Sequence, residues 1–470
     1  MKISKKDIFY TILFTEFLLT YMIVLAISDD YARSLSDTGS YMLHYSPGIM
    51  RILGFASFWL SRRFITGERI RRLILIAADT IFIISAALLI GDIKGTGVII
   101  VLFALSFSLG HLGGLIYYCI SAAFSVSTHK GRIIGFSCAA SILLQFLLDG
   151  LTDNIMRLVI AAVIFLLISY LTLKTPADFI LEDPLPYAGD SEAFTRNVRL
   201  QLIAIVSVVI ICGLLACRTD IAFLSMSYSG DVNIYSYPRL AMVAGYIIMG
   251  IVADMKDHKL TGTVFFSGML LSAVLVLMPF VSGDYGIFLS VYYFFISLYI
   301  FFYTYSFISV APRTHAPELW ASIGRPLSDL CVAPISFIML KIGNERLNAS
   351  PIYYALYYFL LLIILYILTS MIKLDPNLAG NGPAGTDSKD QPAQDSDRGA
   401  DSRLDMWLDE FPLTPRERDV ARLLINTDKP IKAIASELDI SERSVYRYAS
   451  SIYEKTGIDN RTGLIKNYMS

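Results

Sequence analysis

The chain has 470 residues, 55% of them hydrophobic and 17% charged, with a mean hydropathy of +0.58 and a net charge of −1. Soluble domains carry about 25% charged residues, so this balance excludes an ordinary soluble enzyme and indicates a polytopic membrane protein. The near-neutral total hides an asymmetry: residues 373–412 hold four Lys/Arg against nine Asp/Glu, whereas 413–470 hold ten against eight.

Apolar runs of about 17–25 residues are long enough to cross a bilayer as helices. Twelve are expected, at roughly 8–27, 46–61, 73–90, 98–124, 133–148, 158–173, 200–217, 238–253, 263–281, 287–310, 322–340 and 352–372. The second, fifth and eleventh are short or interrupted by Gly, Pro or charge. The first run has basic flanks and no small-residue cleavage pattern over 23–28, so it reads as a retained span. An even count puts both termini on one side, and Lys and Arg decide which. Lys2, Lys5 and Lys6, the cluster Arg62, Arg63, Arg69, Arg71 and Arg72, and the later Lys130, Arg132, Lys174, Arg196, Arg199, Lys256, Lys259 and Arg313 lie on the side of the N-terminus. The opposite loops hold Arg33, Lys94, Arg157, Arg218, Lys341 and Arg346. Sixteen against six predicts cytoplasmic N- and C-termini in a bacterial inner membrane.

The longest polar gap between runs, 174–199, divides them six and six. That division resembles the major facilitator fold, two six-helix halves joined by a central cytoplasmic loop. GIVADMKDHK after the eighth run, with Gly250, Asp254, Lys256 and Lys259, is similar to that family's Gly-x-x-x-Asp followed by basic residues. The matching place after the second run keeps Gly54 and a basic cluster but has no Asp. The resemblance covers residues 1–372.

Charges inside such spans are costly and therefore mark functional candidates. Glu16, Arg51, Asp79 and Gln145 lie in the first half; Arg218, Asp220, Arg325 and Asp329 lie in the second. Arg325 and Asp329, four apart, can pair on one helix face. The plain alternative for these groups is internal ion pairing or a place near the water interface. The aromatic tenth run, YYFFISLYIFFYTYSF, suits packing or lipid contact, while Tyr299, Tyr303 and Phe307 are candidates to line a cavity for a flat apolar ligand. His111, in LGHLGG, reads as a packing detail. The five cysteines sit in apolar stretches without metal-ligand spacing and read as buried small hydrophobes. No catalytic constellation, metal site or cofactor motif emerges, so no enzyme is expected.

Residues 373–403 contain Pro376, Pro383, Pro392 and several Gly, with little to bury; they read as a flexible acidic linker. A polar domain, 404–470, follows. In LTPRERDVARLL, Thr414 can N-cap, Pro415 suits the first helical position, and Glu417 can reach back as the capping-box partner. Val420, Leu423 and Leu424 share a face, and in IKAIASEL so do Ile431, Ile434, Ala435 and Leu438. Ser441 can cap a third helix, SERSVYRYASSIYEKT, whose Val445, Ala449 and Ile452 point to the core. Gly457 ends it, and RTGLIKNYM forms a fourth. A tight connection between the second and third helices is the helix-turn-helix plan. The face opposite Val445 and Ile452 presents Arg443, Tyr446, Arg447 and Ser450 to a major groove. Arg447 suits a guanine edge, Ser441, Arg443 and Ser444 suit phosphates, and Lys432 is a further backbone contact.

LTPRERDVARLL, IKAIASELDISERSVYRY and the spacing through Ile452, Lys455 and Gly457 to NRTGL resemble a LuxR-type DNA-binding domain over 413–470. Tyr446 and Tyr448 depart from it where basic residues and His are frequent. The resemblance implies a homodimer on an inverted repeat of double-stranded promoter DNA, paired through the fourth helix. Leu464, Ile465 and Tyr468 are then dimer-contact candidates, closing of the domain's own core being their equally plain role.

An all-α protein is expected: a twelve-span, six-plus-six bundle and a four-helix headpiece. The function that follows is a one-component regulator in which the lipid-embedded body senses a small-molecule effector and the headpiece binds DNA. The competing reading is a working secondary transporter whose headpiece regulates or localises it.

Overall fold

The computed structural model describes residues 5–33, 37–65, 67–123, 129–174, 192–228, 230, 233–255, 261–272, 285–332 and 359–367 of the long N-terminal part. In the C-terminal part it describes 404, 407–408, 411, 413, 415–426, 431–438, 442–456, 458 and 461–469. Contacts divide the chain into two units, Met1–Ala384 and Gly385–Ser470.

The first unit is helical throughout its regular structure: α1 (Lys5–Arg33), α2 (Asp37–Phe64), α3 (Glu68–Ile90), α4 (Thr96–Ala123), α5 (Lys130–Leu151), α6 (Asn154–Lys174), α7 (Glu192–Tyr228), α8 (Leu240–Ala253), α9 (Thr261–Ser272), α10 (Tyr285–Val310) and α11 (Pro317–Ser322). Helix also covers 324–332 and 359–367. Chain in hydrocarbon must satisfy its own N–H and C=O groups, which a helix does within one segment. Among the described residues, seven helices are long and apolar enough to cross a membrane. The other expected spans fall on helices too short or too polar, or lie partly outside the described residues, as do 273–281, 333–340 and 352–358. Helix bounds overrun the apolar runs. Helix α1 continues to Arg33, and α7 runs from Glu192 to Tyr228 rather than over 200–217. Hydropathy marks the lipid-matched stretch, whereas backbone hydrogen bonding carries a helix past it into polar sequence.

Among the described helices one packing pattern recurs. Helix α2 packs on α4, and α8 packs on α10, the same pairing displaced by six; α5 and α8 join the halves. Small residues let these backbones approach. A Cβ on Gly54 would stand 2.2 Å from the Phe107 carbonyl oxygen, and one on Gly110 would stand 2.2 Å from that of Arg51. Gly135 on α5 meets Tyr246 and Gly250 on α8 in the same way. Helices α4 and α10 are buried along most of their length. Exposed Ile84, Leu88, Leu144, Leu147, Leu166 and Leu167 lie on α3, α5 and α6, an apolar outer belt suited to lipid.

The second unit has its own core. Its four helices are Pro415–Asn426, Ile431–Glu437, Glu442–Thr456 and Arg461–Met469. Val420, Leu424, Ile434, Val445, Ile452 and Leu464 are fully buried together, with Leu404 and Leu408 from the segment ahead of the first helix. Trp407 packs edge-to-face on Tyr468 and Phe411.

Candidate functional site

A cavity of about 200 Å³ opens inside the first unit, between α1 and α2 of the first half and α7, α8, α10 and 324–332 of the second. Arg51, Arg325, Asp329 and Tyr299, all expected from sequence, line it, with Asp220. Arg325 and Asp329 form the anticipated i, i+4 pair at 3.1 Å. Arg325 also donates to the Tyr21 hydroxyl at 3.1 Å and the Tyr303 hydroxyl at 3.4 Å. Tyr303 sits below the main cavity, against Tyr299 and beside a smaller space of about 20 Å³. Tyr299 donates to the Val209 carbonyl at 3.0 Å and lies 3.1 Å from the Ser328 hydroxyl. Gln145 is fully buried and accepts from Arg239 at 2.6 Å.

Two expected candidates lie elsewhere. Asp79 accepts from Ser169 at 2.6 Å, tying α3 to α6, and lines no part of the cavity. Glu16 is half-buried on α1 away from the cavity lining, with Oε2 buried and unbonded among the described residues. Helical phase explains both: cavity-facing positions of α1 are Met22 and Leu25, and those of α3 contribute none. The Arg218 side chain lies outside the described residues. His111 meets Ser57 at 2.8 Å, a link between α2 and α4, and Phe307 stacks on Trp320.

The site also contains groups that sequence reasoning passed over. His44 and Tyr235 both hydrogen-bond Asp29. Arg239 lies 4.2 Å over the Tyr235 ring. A signal existed for Arg239, a charge at the head of the eighth apolar run. None existed for Asp29 and His44, which lie beyond the apolar runs on turns of α1 and α2 that hydropathy omits. At the end of the bundle nearer the N-terminus the start of α5 is joined to the end of α8. Asp254 accepts from the backbone N–H groups of Gly131 at 2.7 Å and Arg132 at 3.0 Å, capping the start of α5 with the carboxylate that the family-like motif singled out.

In the headpiece the third helix divides cleanly. Val445, Ala449 and Ile452 face the core; Tyr446 is 60% exposed and Ser450 is exposed. Lys432, Arg443, Ser444 and Arg447 lie in helices by backbone, but their side chains, like all of Ser441, lie outside the described residues. Leu464 closes the domain's own core, Tyr468 is half-buried against Trp407, and the Ile465 side chain is outside the described residues. Glu417 does more than an N-terminal partner would: it accepts from Ser451 at 2.6 Å and Lys455 at 2.7 Å, pinning the first helix to the third. Thr414, its expected capping partner, lies outside the described residues. Glu417 is 5% exposed and its donors Ser451 and Lys455 are partly exposed, so Glu417→Ala removes two hydrogen bonds to a buried charged acceptor and is expected to cost about 1–3 kcal/mol. Urea unfolding of residues 404–470 measures this, and an unchanged midpoint would mean the contact is idle.

Comparison with known proteins agrees with both geometries. Residues 411–467 match the family model described as "Bacterial regulatory proteins, luxR family". Over 50 residues the chain is 48% identical to the spore germination protein GerE of Bacillus subtilis (strain 168), a match covering 11% of this chain and 66% of that relative, just under two thirds. The fold is similar to a crystal structure of the major facilitator superfamily transporter FucP in the outward conformation. The TM-score is 0.51 at 12% identity, over 78% of this chain and 98% of that one. The protein therefore joins a LuxR-type helix-turn-helix domain, a DNA-binding class of transcription regulation, to a membrane body of major-facilitator-like fold.

Proposed function

We propose that the protein is a membrane-embedded one-component transcriptional regulator. A small molecule enters the cavity between the two halves and changes the balance of conformations of the body; the tethered headpieces then bind promoter DNA as a homodimer beside the inner membrane. One observation carries this reading: a charged, tyrosine-lined cavity of about 200 Å³ belongs to the same chain as a LuxR-type domain. The cavity is lined from the end of α1 away from the N-terminus, while Asp254 joins α8 to α5 at the other end, an arrangement that suits an effector arriving from outside the cell. Regulation requires different affinities of that effector for two states of the body. The acidic Pro/Gly-rich linker suits coupling through proximity of headpieces rather than through a rigid lever.

The test is a reporter strain exposed to a panel of small molecules, alongside uptake by vesicles containing the full chain. The reading expects a transcriptional response without net accumulation, removed by Asp329→Asn in the cavity. Robust accumulation abolished by the same substitution would establish the transporter instead.

A further inference from the structure

The cavity's charges do not cancel. Three guanidiniums (Arg51, Arg239 and Arg325) and two carboxylates (Asp220 and Asp329) line it, with His44. Arg325 and Asp329 answer each other at 3.1 Å. His44 is held by Asp29, one layer out, which also takes the Tyr235 hydroxyl. Asp220 is approached by the Tyr292 hydroxyl at 3.5 Å. Arg51 reaches only the edge of the Arg325 pair, 3.8 Å from Asp329, and Arg239 has an amide, Gln145, rather than a carboxylate. Both are more than nine-tenths buried, at 5% and 7% exposure, and the Nε of each is buried without a hydrogen-bond partner among the described residues. Rings offset part of the cost: Arg51 lies 5.2 Å over Tyr21, and Arg239 lies over Tyr235 and Tyr293. A buried cation with an open donor is expensive unless something completes it.

We infer that the cavity takes a small aromatic acid, a single ring bearing one carboxylate, with the carboxylate seated on Arg51 and Arg239. This rests on reading the cavity as the effector site. The guanidinium fork is matched to a carboxylate, and one negative charge balances the surplus of one positive among the lining groups. The remaining wall includes Tyr292, Tyr293, Tyr299, Met22, Met242 and Ile300, which suits a flat apolar body. Apolar cavities of about 150 Å³ admit one benzene ring, so about 200 Å³ holds a ring with a short acidic arm.

The experiment measures calorimetric binding to the detergent-purified full chain of three matched probes: phenylacetate, phenylacetamide and 2-phenylethylamine. Phenylacetate is expected to bind at least tenfold more tightly than either other probe. Arg51→Gln and Arg239→Gln each weaken it at least tenfold, and Arg51→Lys recovers part of the loss. Ligand-free melting temperatures establish that each variant is folded. Ala216→Trp, which fills the cavity wall, separates the two readings. If the amine or amide binds as well as the acid and Ala216→Trp abolishes that binding, the acid assignment falls and the cavity site stands. If binding survives Ala216→Trp, the cavity reading fails. If no probe binds at millimolar concentration, the inference is overturned.

Discussion

Arg447→Ala is expected to lower the affinity of residues 404–470 for their specific DNA by about 1–3 kcal/mol, roughly 5- to 150-fold, while barely changing binding to unrelated DNA. The expectation comes from helical phase. Val445, Ala449 and Ile452 turn inward, and exposed Tyr446 and Ser450 mark the opposite face, which brackets position 447. A bidentate guanidinium–guanine contact reads sequence, whereas a phosphate contact does not. Arg443→Ala, nearer the start of the helix, should weaken all DNA alike. Titrations against specific and random duplexes over a salt series distinguish the two, since phosphate contacts set the salt slope. Equal losses on both duplexes for both variants would show that the reading face has been assigned wrongly.

Gly110→Ala should be strongly disruptive to the membrane body. Its Cβ would lie 2.2 Å from the Arg51 carbonyl oxygen and 3.0 Å from the Arg51 Cα. The obstacle is backbone, so no side chain can swing away, and α2 must shift. Overpacking of this kind costs about 1–3 kcal/mol and occasionally more. The displaced residue is Arg51, so the effector response should fall with stability. Gly150→Ala is the control, because a Cβ there meets nothing within 4 Å. Thermal unfolding of the detergent-solubilised full chain measures both changes. A melting temperature for Gly110→Ala equal to that for Gly150→Ala would mean the close crossing of α2 and α4 is absent in the protein.

Trp407, Phe411 and Tyr468 bear on the two roles expected for the headpiece's fourth helix. Tyr468, a candidate for dimer contact or for closing the core, packs on Trp407 from the segment ahead of the first helix; Leu464 lies wholly inside the core. Periodicity marks Leu464 as apolar, but only packing assigns it to one of two apolar duties. Trp407 and Phe411 fall within the expected domain bounds of 404–470 but ahead of LTPRERDVARLL, where local pattern names no partner for them.

The amino-acid sequence by itself determined the features that arise from solvent and local backbone chemistry. Apolar runs marked the seven helices that are long and apolar enough to cross a membrane among the described residues, and the spacing of Val445, Ala449 and Ile452 oriented the third headpiece helix. The Arg325–Asp329 pair was legible too, because both residues lie on one helix four positions apart. Only the tertiary structure decided which intramembrane charges meet. Arg51 and Arg239 share a cavity although 188 positions apart in a chain of 470, while Asp79, equally conspicuous in sequence, pairs with Ser169 and Glu16 lies off the cavity lining. A span's hydropathy records that a charge is buried, but the rotation of its helix and the helix opposite determine what it faces. That is a property of packing, and no local pattern in the chain encodes it.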